Sequence, residues 1–93
     1  MKEYTFSKIE VGLKERFAVT ISEEMMAGFC ALSGDTNPLH TDSSYALSQN
    51  FKDRVVYGLL TSSFYSTLVG VHLPGKFAML QGINIQFNKP VFI

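Results

Sequence analysis

Ninety-three residues, about 10.4 kDa, allow one domain at most, at the small end of what folds alone. Eight Lys+Arg balance eight Asp+Glu, which argues against a nucleic-acid or membrane-surface binder, since either needs a basic excess to gather phosphates. With 46% hydrophobic and 17% charged residues the chain can build a core, so wholesale disorder is excluded, and a neutral, sparsely charged surface favours self-association.

One cysteine, Cys30, excludes a disulfide framework within the chain, and with two histidines a structural zinc site is not expected. The start, Met1-Lys2-Glu3-Tyr4 with Lys8 and Glu10 following, has no signal-peptide pattern, so the chain reads as soluble and cytoplasmic. Residues 15–21 alternate, with Phe17, Val19 and Ile21 on one face, which predicts a short half-buried strand. Ser22 before Glu23 and Glu24 is an N-cap with two carboxylates where the helix dipole favours them, and Gly34 is a left-handed stop. A helix over Glu23–Ser33 follows, with Met25, Phe29 and Leu32 at helical spacing and Met26 and Cys30 alongside.

Asp35-Thr36-Asn37-Pro38-Leu39-His40 is predicted to be an irregular turn, because Pro38 pushes Asn37 to extended geometry. Asp42 can cap a second short helix from Ser43 to about Gln49, and Lys52-Asp53-Arg54 is a small charged loop. Residues 55–75 carry no Asp, Glu, Lys or Arg, but their glycines, serines and threonines leave too little apolar length for a membrane span. The segment is expected instead to be a helix, Leu59–Leu73, buried all round and ended by Pro74-Gly75. Residues 77–88 alternate again, Met79, Ile83, Ile85 and Phe87 on one face, which predicts a long strand. Val91-Phe92-Ile93 begins another. One long strand is too little sheet to cover an all-apolar helix, so further strands are expected from another chain or a longer domain.

The residues that can carry chemistry cluster between Ser33 and Asp42. Asp35 and His40, five apart on a proline-stiffened loop, can converge on one water, as general acid–base catalysis requires. An aspartate capping a helix and a histidine bonded to backbone explain the same residues without catalysis. A metal held by His40, Asp35 and Asp42 is conceivable but has no other support. Gly58, just before the apolar helix, would let a ligand approach backbone N–H groups where the helix dipole stabilises a developing oxyanion; a plain turn glycine is the simpler account. The Gly70–Gly75-Lys76 spacing mimics a phosphate loop but lacks its Ser/Thr and ends a helix instead of starting one.

Gly34-Asp35-Thr36-Asn37-Pro38-Leu39-His40-Thr41-Asp42, with Val55-Val56-Tyr57-Gly58-Leu59-Leu60, Ser63, Ser66 and Leu73-Pro74-Gly75 downstream, resembles the MaoC-like dehydratases, the (R)-specific enoyl-CoA hydratases of the hotdog fold. The likeness runs from the first helix to Pro90-Val91-Phe92. It implies an α+β fold, a long central helix wrapped by an antiparallel sheet, with residues 1–93 forming a single hotdog domain and two such units, separate chains in a homodimer or fused halves, forming the working assembly. It also implies several long strands beyond Phe92, so that the domain is expected to be incomplete at its C-terminus.

By the same resemblance, Asp35 and His40 would activate a water that adds across the double bond of a trans-2-enoyl thioester, on CoA or acyl-carrier protein. The product would be the (R)-3-hydroxyacyl thioester, with dehydration as the reverse. The Gly58 N–H would bind the thioester carbonyl, Asn37 would hold the catalytic loop, and Ser66 matches a serine near the site. No metal or redox cofactor is implied. The family usually carries His-Gly where this sequence has Tyr57-Gly58, a change expected to reshape the thioester pocket or the helix entry. The rival readings are a non-catalytic hotdog module that binds acyl thioesters or assembles with a catalytic partner, a thioesterase of the same fold, and an unrelated small α/β domain.

Overall fold

Ser22, Glu23 and Glu24 do what their order predicts in the structure, a computed structural model that describes residues 1–93. Ser22 Oγ accepts from the Met25 N–H at 3.2 Å and the two glutamates fill the first turn of α1, Glu23–Ser33. Gly34 ends the helix at φ +76°, its N–H bonded to the Cys30 carbonyl. The inward stripe is rotated from the expected one: Met26 is buried and Phe29 and Cys30 half-buried, whereas Leu32 is exposed.

Contacts within the chain gather into two units, one of Thr20–Thr61 with Gln86–Ile93, the other of Met1–Val19 with Ser62–Ile85. The first holds α1, α2 (Pro38–Thr41), α3 (Ser43–Ser48) and residues 58–61 of α4 (Gly58–Thr67). Helix α2 stands where an irregular turn was expected. Asn37 Oδ1 caps it by accepting from the Leu39 N–H at 2.9 Å, and Pro38 sits at a first-turn position whose N–H is not needed. Asp42 ends α2 and caps α3, accepting from the Tyr45 N–H at 3.2 Å.

The buried side chains, Met26, Ala46, Val56, Tyr57 and Leu60, all belong to this first unit. Its carboxyl-terminal segment is laced to the stretch before α4. The Val56 N–H reaches the Val91 carbonyl at 2.8 Å, the Ile93 N–H reaches the Arg54 carbonyl at 3.3 Å, and Val55 pairs antiparallel with Phe92. The strand expected to begin at Val91 is therefore realised as one antiparallel bridge. Arg54 also forms an ion pair with Glu23 of α1.

In the second unit the amino-terminal segment runs against the residues that follow the long helix. Lys2 N–H donates to the Val71 carbonyl at 2.8 Å, Tyr4 N–H to Pro74 at 3.0 Å, and Lys76 N–H to Lys2 at 2.8 Å, around an antiparallel bridge between Glu3 and Gly75. Helix α4 stops at Thr67 and continues as a π-turn over Leu68–His72, closed by the Leu73 N–H on the Leu68 carbonyl at 2.9 Å. The expected α-helix to Leu73 is thus shortened, consistent with a Val-Gly-Val run of poor helix formers. His72 stacks on Phe17, ring centroids 4.8 Å apart.

Two further expectations are corrected. Residues 15–21 and 77–88 form no ladder, and the only β-pairs are the two isolated bridges. Alternation makes a segment competent for a sheet, but only a neighbour supplies the hydrogen bonds that make it a strand. Nor is the apolar helix buried all round: Leu60 is, while Leu59 and Tyr65 are exposed, as are Met79 and Ile83 on the predicted strand's apolar face.

Tyr4 Oη donates to Glu15 Oε1 at 2.7 Å, with Lys2 Nζ 3.7 Å from the same oxygen. The bond from Tyr4 holds the Glu15 carboxyl below its ordinary pKa, aided by the Lys2 charge, and the same bond raises that of Tyr4. Because the folded value is the lower one, the stabilisation is complete above the unfolded glutamate pKa and is lost as pH falls through the folded value. Urea unfolding followed downward from pH 6 is expected to show this loss below about pH 4, and Glu15→Gln to flatten that acid limb.

Candidate active site

The Ser33–Asp42 cluster is ordered by its own side chains. Ser33 Oγ accepts from the Asp35 N–H at 3.2 Å, and Asp35 Oδ1 accepts from the Asn37 N–H at 3.1 Å. Asn37 Oδ1 then takes the Leu39 N–H, and the Asn37 carbonyl takes the His40 N–H at 3.0 Å and the Thr41 hydroxyl at 3.3 Å. Short polar side chains that bond to backbone two residues on are the physical reason this stretch turns. One oxygen of Asp35 is spent on that turn. The other, Oδ2, faces His40 Nε2 at 3.9 Å.

His40 is fixed from behind. Its Nδ1 lies 2.7 Å from the Val55 carbonyl, and a carbonyl can only accept, so Nδ1 carries the proton. In the neutral form of such a ring it is Nε2, on the side of Asp35, that carries the lone pair. At 3.9 Å the two groups are too far apart for a direct bond, yet both can touch one water oxygen. His40 is mostly buried and Asp35 about half exposed, so the pair sits where protein gives way to solvent.

Asp35 and His40 line a cavity of about 460 Å³ in the unit of Thr20–Thr61 and Gln86–Ile93. Apolar side chains, among them Phe29, Leu39, Phe51 and Phe87, make up most of its wall. Gly58 lines it too, as the first residue of α4, where helix N–H groups point outward and the dipole favours negative charge. A Cβ on Gly58 would stand 3.0 Å from the Phe87 ring, so a larger residue here would require that ring to shift by a few tenths of an ångström. The Gly58 carbonyl accepts from Thr61 Oγ1 at 2.7 Å.

Tyr57 is 2% exposed. Its hydroxyl donates to the Asp35 main-chain carbonyl at 2.6 Å, and its ring stacks on His40 at 4.1 Å and packs against Phe29 at 4.7 Å. Burial, with smaller pushes from Cys30 and the Asp35 carboxylate, moves its phenol up to about 12, so the hydroxyl stays a proton donor at any physiological pH.

Of the residues singled out in the sequence, Asp35, His40, Tyr57 and Gly58 come together around the cavity, and Asn37 builds the loop that carries two of them. Ser66 is exposed in the last turn of α4 and belongs to the other unit. Asp42 caps α3, and nowhere do three His, Cys, Asp or Glu side chains converge as a metal site would need. Sequence reading missed the Val55 carbonyl and the Phe87 ring. A main-chain acceptor leaves no mark in residue identity, and Phe87 reaches Gly58 only through the tertiary fold.

Residues 5–93 match the family described as MaoC like domain, and the chain belongs to that family. It is 40% identical over 85 residues to an (R)-specific enoyl-CoA hydratase of Aeromonas caviae, an alignment covering 91% of this chain and 63% of the relative. A protein of the same description from Rhodospirillum rubrum is 39% identical over 88 residues, 95% of this chain and 61% of the other. Among solved structures, an unliganded R-hydratase of Pseudomonas aeruginosa superposes with a TM-score of 0.90 at 33% identity, over 98% of this chain and 59% of that one. The chain shares their fold and spans about three fifths of their length.

Proposed function

We propose that the protein hydrates trans-2-enoyl thioesters of CoA or acyl-carrier protein to (R)-3-hydroxyacyl thioesters, or runs the reverse dehydration, as a hydro-lyase. The observation that carries this reading is the 3.9 Å gap between two acceptors, Asp35 Oδ2 and the lone pair of His40 Nε2, on the wall of an apolar cavity that also exposes the start of α4. Both groups would hold one water. His40 Nε2 takes a proton from it as the oxygen adds to C3, Asp35 Oδ2 accepts from the other hydrogen, and the electron pair of the double bond moves toward the thioester oxygen. The Gly58 N–H meets that developing charge with the helix dipole behind it. The imidazolium then returns its proton to C2, so one water is consumed and both groups are restored.

The apolar walls would take the acyl chain. The pairings absent within residues 1–93 support a hotdog sheet completed by strands that these residues do not supply, in a single domain that works as a homodimer. No helix is long and apolar enough to cross a membrane, and a cytoplasmic location belongs to the same proposal.

The test is loss of enoyl absorbance when the protein meets a short trans-2-enoyl-CoA, with the configuration of the product determined. Hydration to the (R) alcohol is expected. Release of free thiol would point to a thioesterase instead, and tight binding without turnover to a non-catalytic module.

A further inference from the structure

Tyr57 touches three parts of the site, the start of α4, the Asp35 loop and the His40 ring. Its main-chain carbonyl accepts from the N–H groups of Leu60 and Thr61, both at 3.1 Å, and so opens the first turn of α4. Its hydroxyl grips the Asp35 carbonyl, on the loop whose side chain faces the water position. Its ring lies against the imidazole of His40, whose Nδ1 is bonded to the Val55 carbonyl. The loop over residues 34–37 belongs to no helix or strand, and the Tyr57 hydroxyl bonds it directly to the residue before α4.

We propose that Tyr57 is the positioning residue of the dyad: one side chain, anchored at the start of α4, sets both the Asp35 loop and the His40 ring relative to Gly58. This rests on the hydratase reading. The hydroxyl cannot serve the substrate while it donates to Asp35, having a single proton to give, so the side chain acts through Asp35 and His40 and not on the thioester. A displacement of about 1 Å in such a pair is enough to cost up to about a hundredfold in rate.

Tyr57→Phe removes the hydroxyl and keeps the ring. Its kcat for a trans-2-enoyl-CoA is expected to fall about tenfold, with KM within about twofold, since no group that binds the acyl chain is lost. A residue that only fills space would leave kcat of Tyr57→Phe unchanged, and that result overturns the proposal.

Nuclear magnetic resonance reads the same contact without turnover. In the unaltered protein the ring protons of His40 should show an Overhauser contact to Tyr57 and a ring-current shift, and Tyr57→Phe should move that shift. No contact in the unaltered protein, or no movement in the variant, overturns the proposal even if a variant fails to fold for kinetics. An intact contact in a protein that hydrates no enoyl-CoA would instead sink the hydratase reading and leave the geometric role standing.

Discussion

Asp35→Asn is expected to lower the hydration rate by about two to four powers of ten, the usual worth of a positioned acid–base group, while leaving the melting temperature nearly unchanged. The asparagine keeps the shape of the aspartate and its Oδ1 can still accept from the Asn37 N–H, so the turn that builds the loop survives. What changes is the atom facing His40. An amide nitrogen in place of Oδ2 donates where the carboxylate accepts. It no longer accepts from the water hydrogen on that side, so the water between Asp35 and His40 loses its orientation. Stopped enoyl-absorbance assays beside a thermal melt check both halves. Turnover within a few-fold of the unaltered protein would remove Asp35 from the reaction.

Gly75→Ala is expected to be the most damaging single methyl group in the chain. Gly75 has φ +88°, a left-handed conformation that costs an alanine about 1–3 kcal/mol by itself. A Cβ there would also lie 2.0 Å from the Lys2 carbonyl oxygen and 2.6 Å from its carbon, which is backbone and has little freedom to yield. The collision falls on the bridge between Glu3 and Gly75 and on the Lys76-to-Lys2 hydrogen bond beside it. Gly28→Ala is the control. That glycine lies mid-way along α1 with open space around its Cβ position, so alanine there should stabilise by about 0.5–1 kcal/mol. Urea unfolding of the two variants should therefore move the midpoint in opposite directions. A Gly75→Ala midpoint equal to that of the unaltered protein would mean the amino-terminal segment does not lie where the structure has it.

Local chemistry was legible wherever it acts within four or five residues. The Ser22 cap, the first-turn glutamates and the Gly34 stop determine α1, and its bounds follow from residue identity alone. The same holds for the Asp42 cap of α3. The motif from Gly34 to Asp42 carried the family, because the loop is built by its own side chains bonding to its own backbone. The exception is Pro38, which begins a short helix where its neighbours suggest an irregular turn.

Tertiary structure decided everything that depends on a partner far along the chain. Alternation at 15–21 and 77–88 announces which side chains could share a face, but pairing needs a neighbouring strand, and within residues 1–93 none is provided. Burial of α4 was over-read for the same reason: an apolar helix records what it could be covered by, not what covers it. At the site, residue types placed an acid and an imidazole on one loop. That His40 turns Nε2 toward Asp35 is set by the main-chain carbonyl of Val55, fifteen residues away, and that both are braced by Tyr57 is set by a phenol twenty-two residues from the carbonyl it holds. Spacing in sequence governs bonds along a helix or turn, whereas these distances were closed by packing, through Met26, Ala46, Val56, Tyr57 and Leu60.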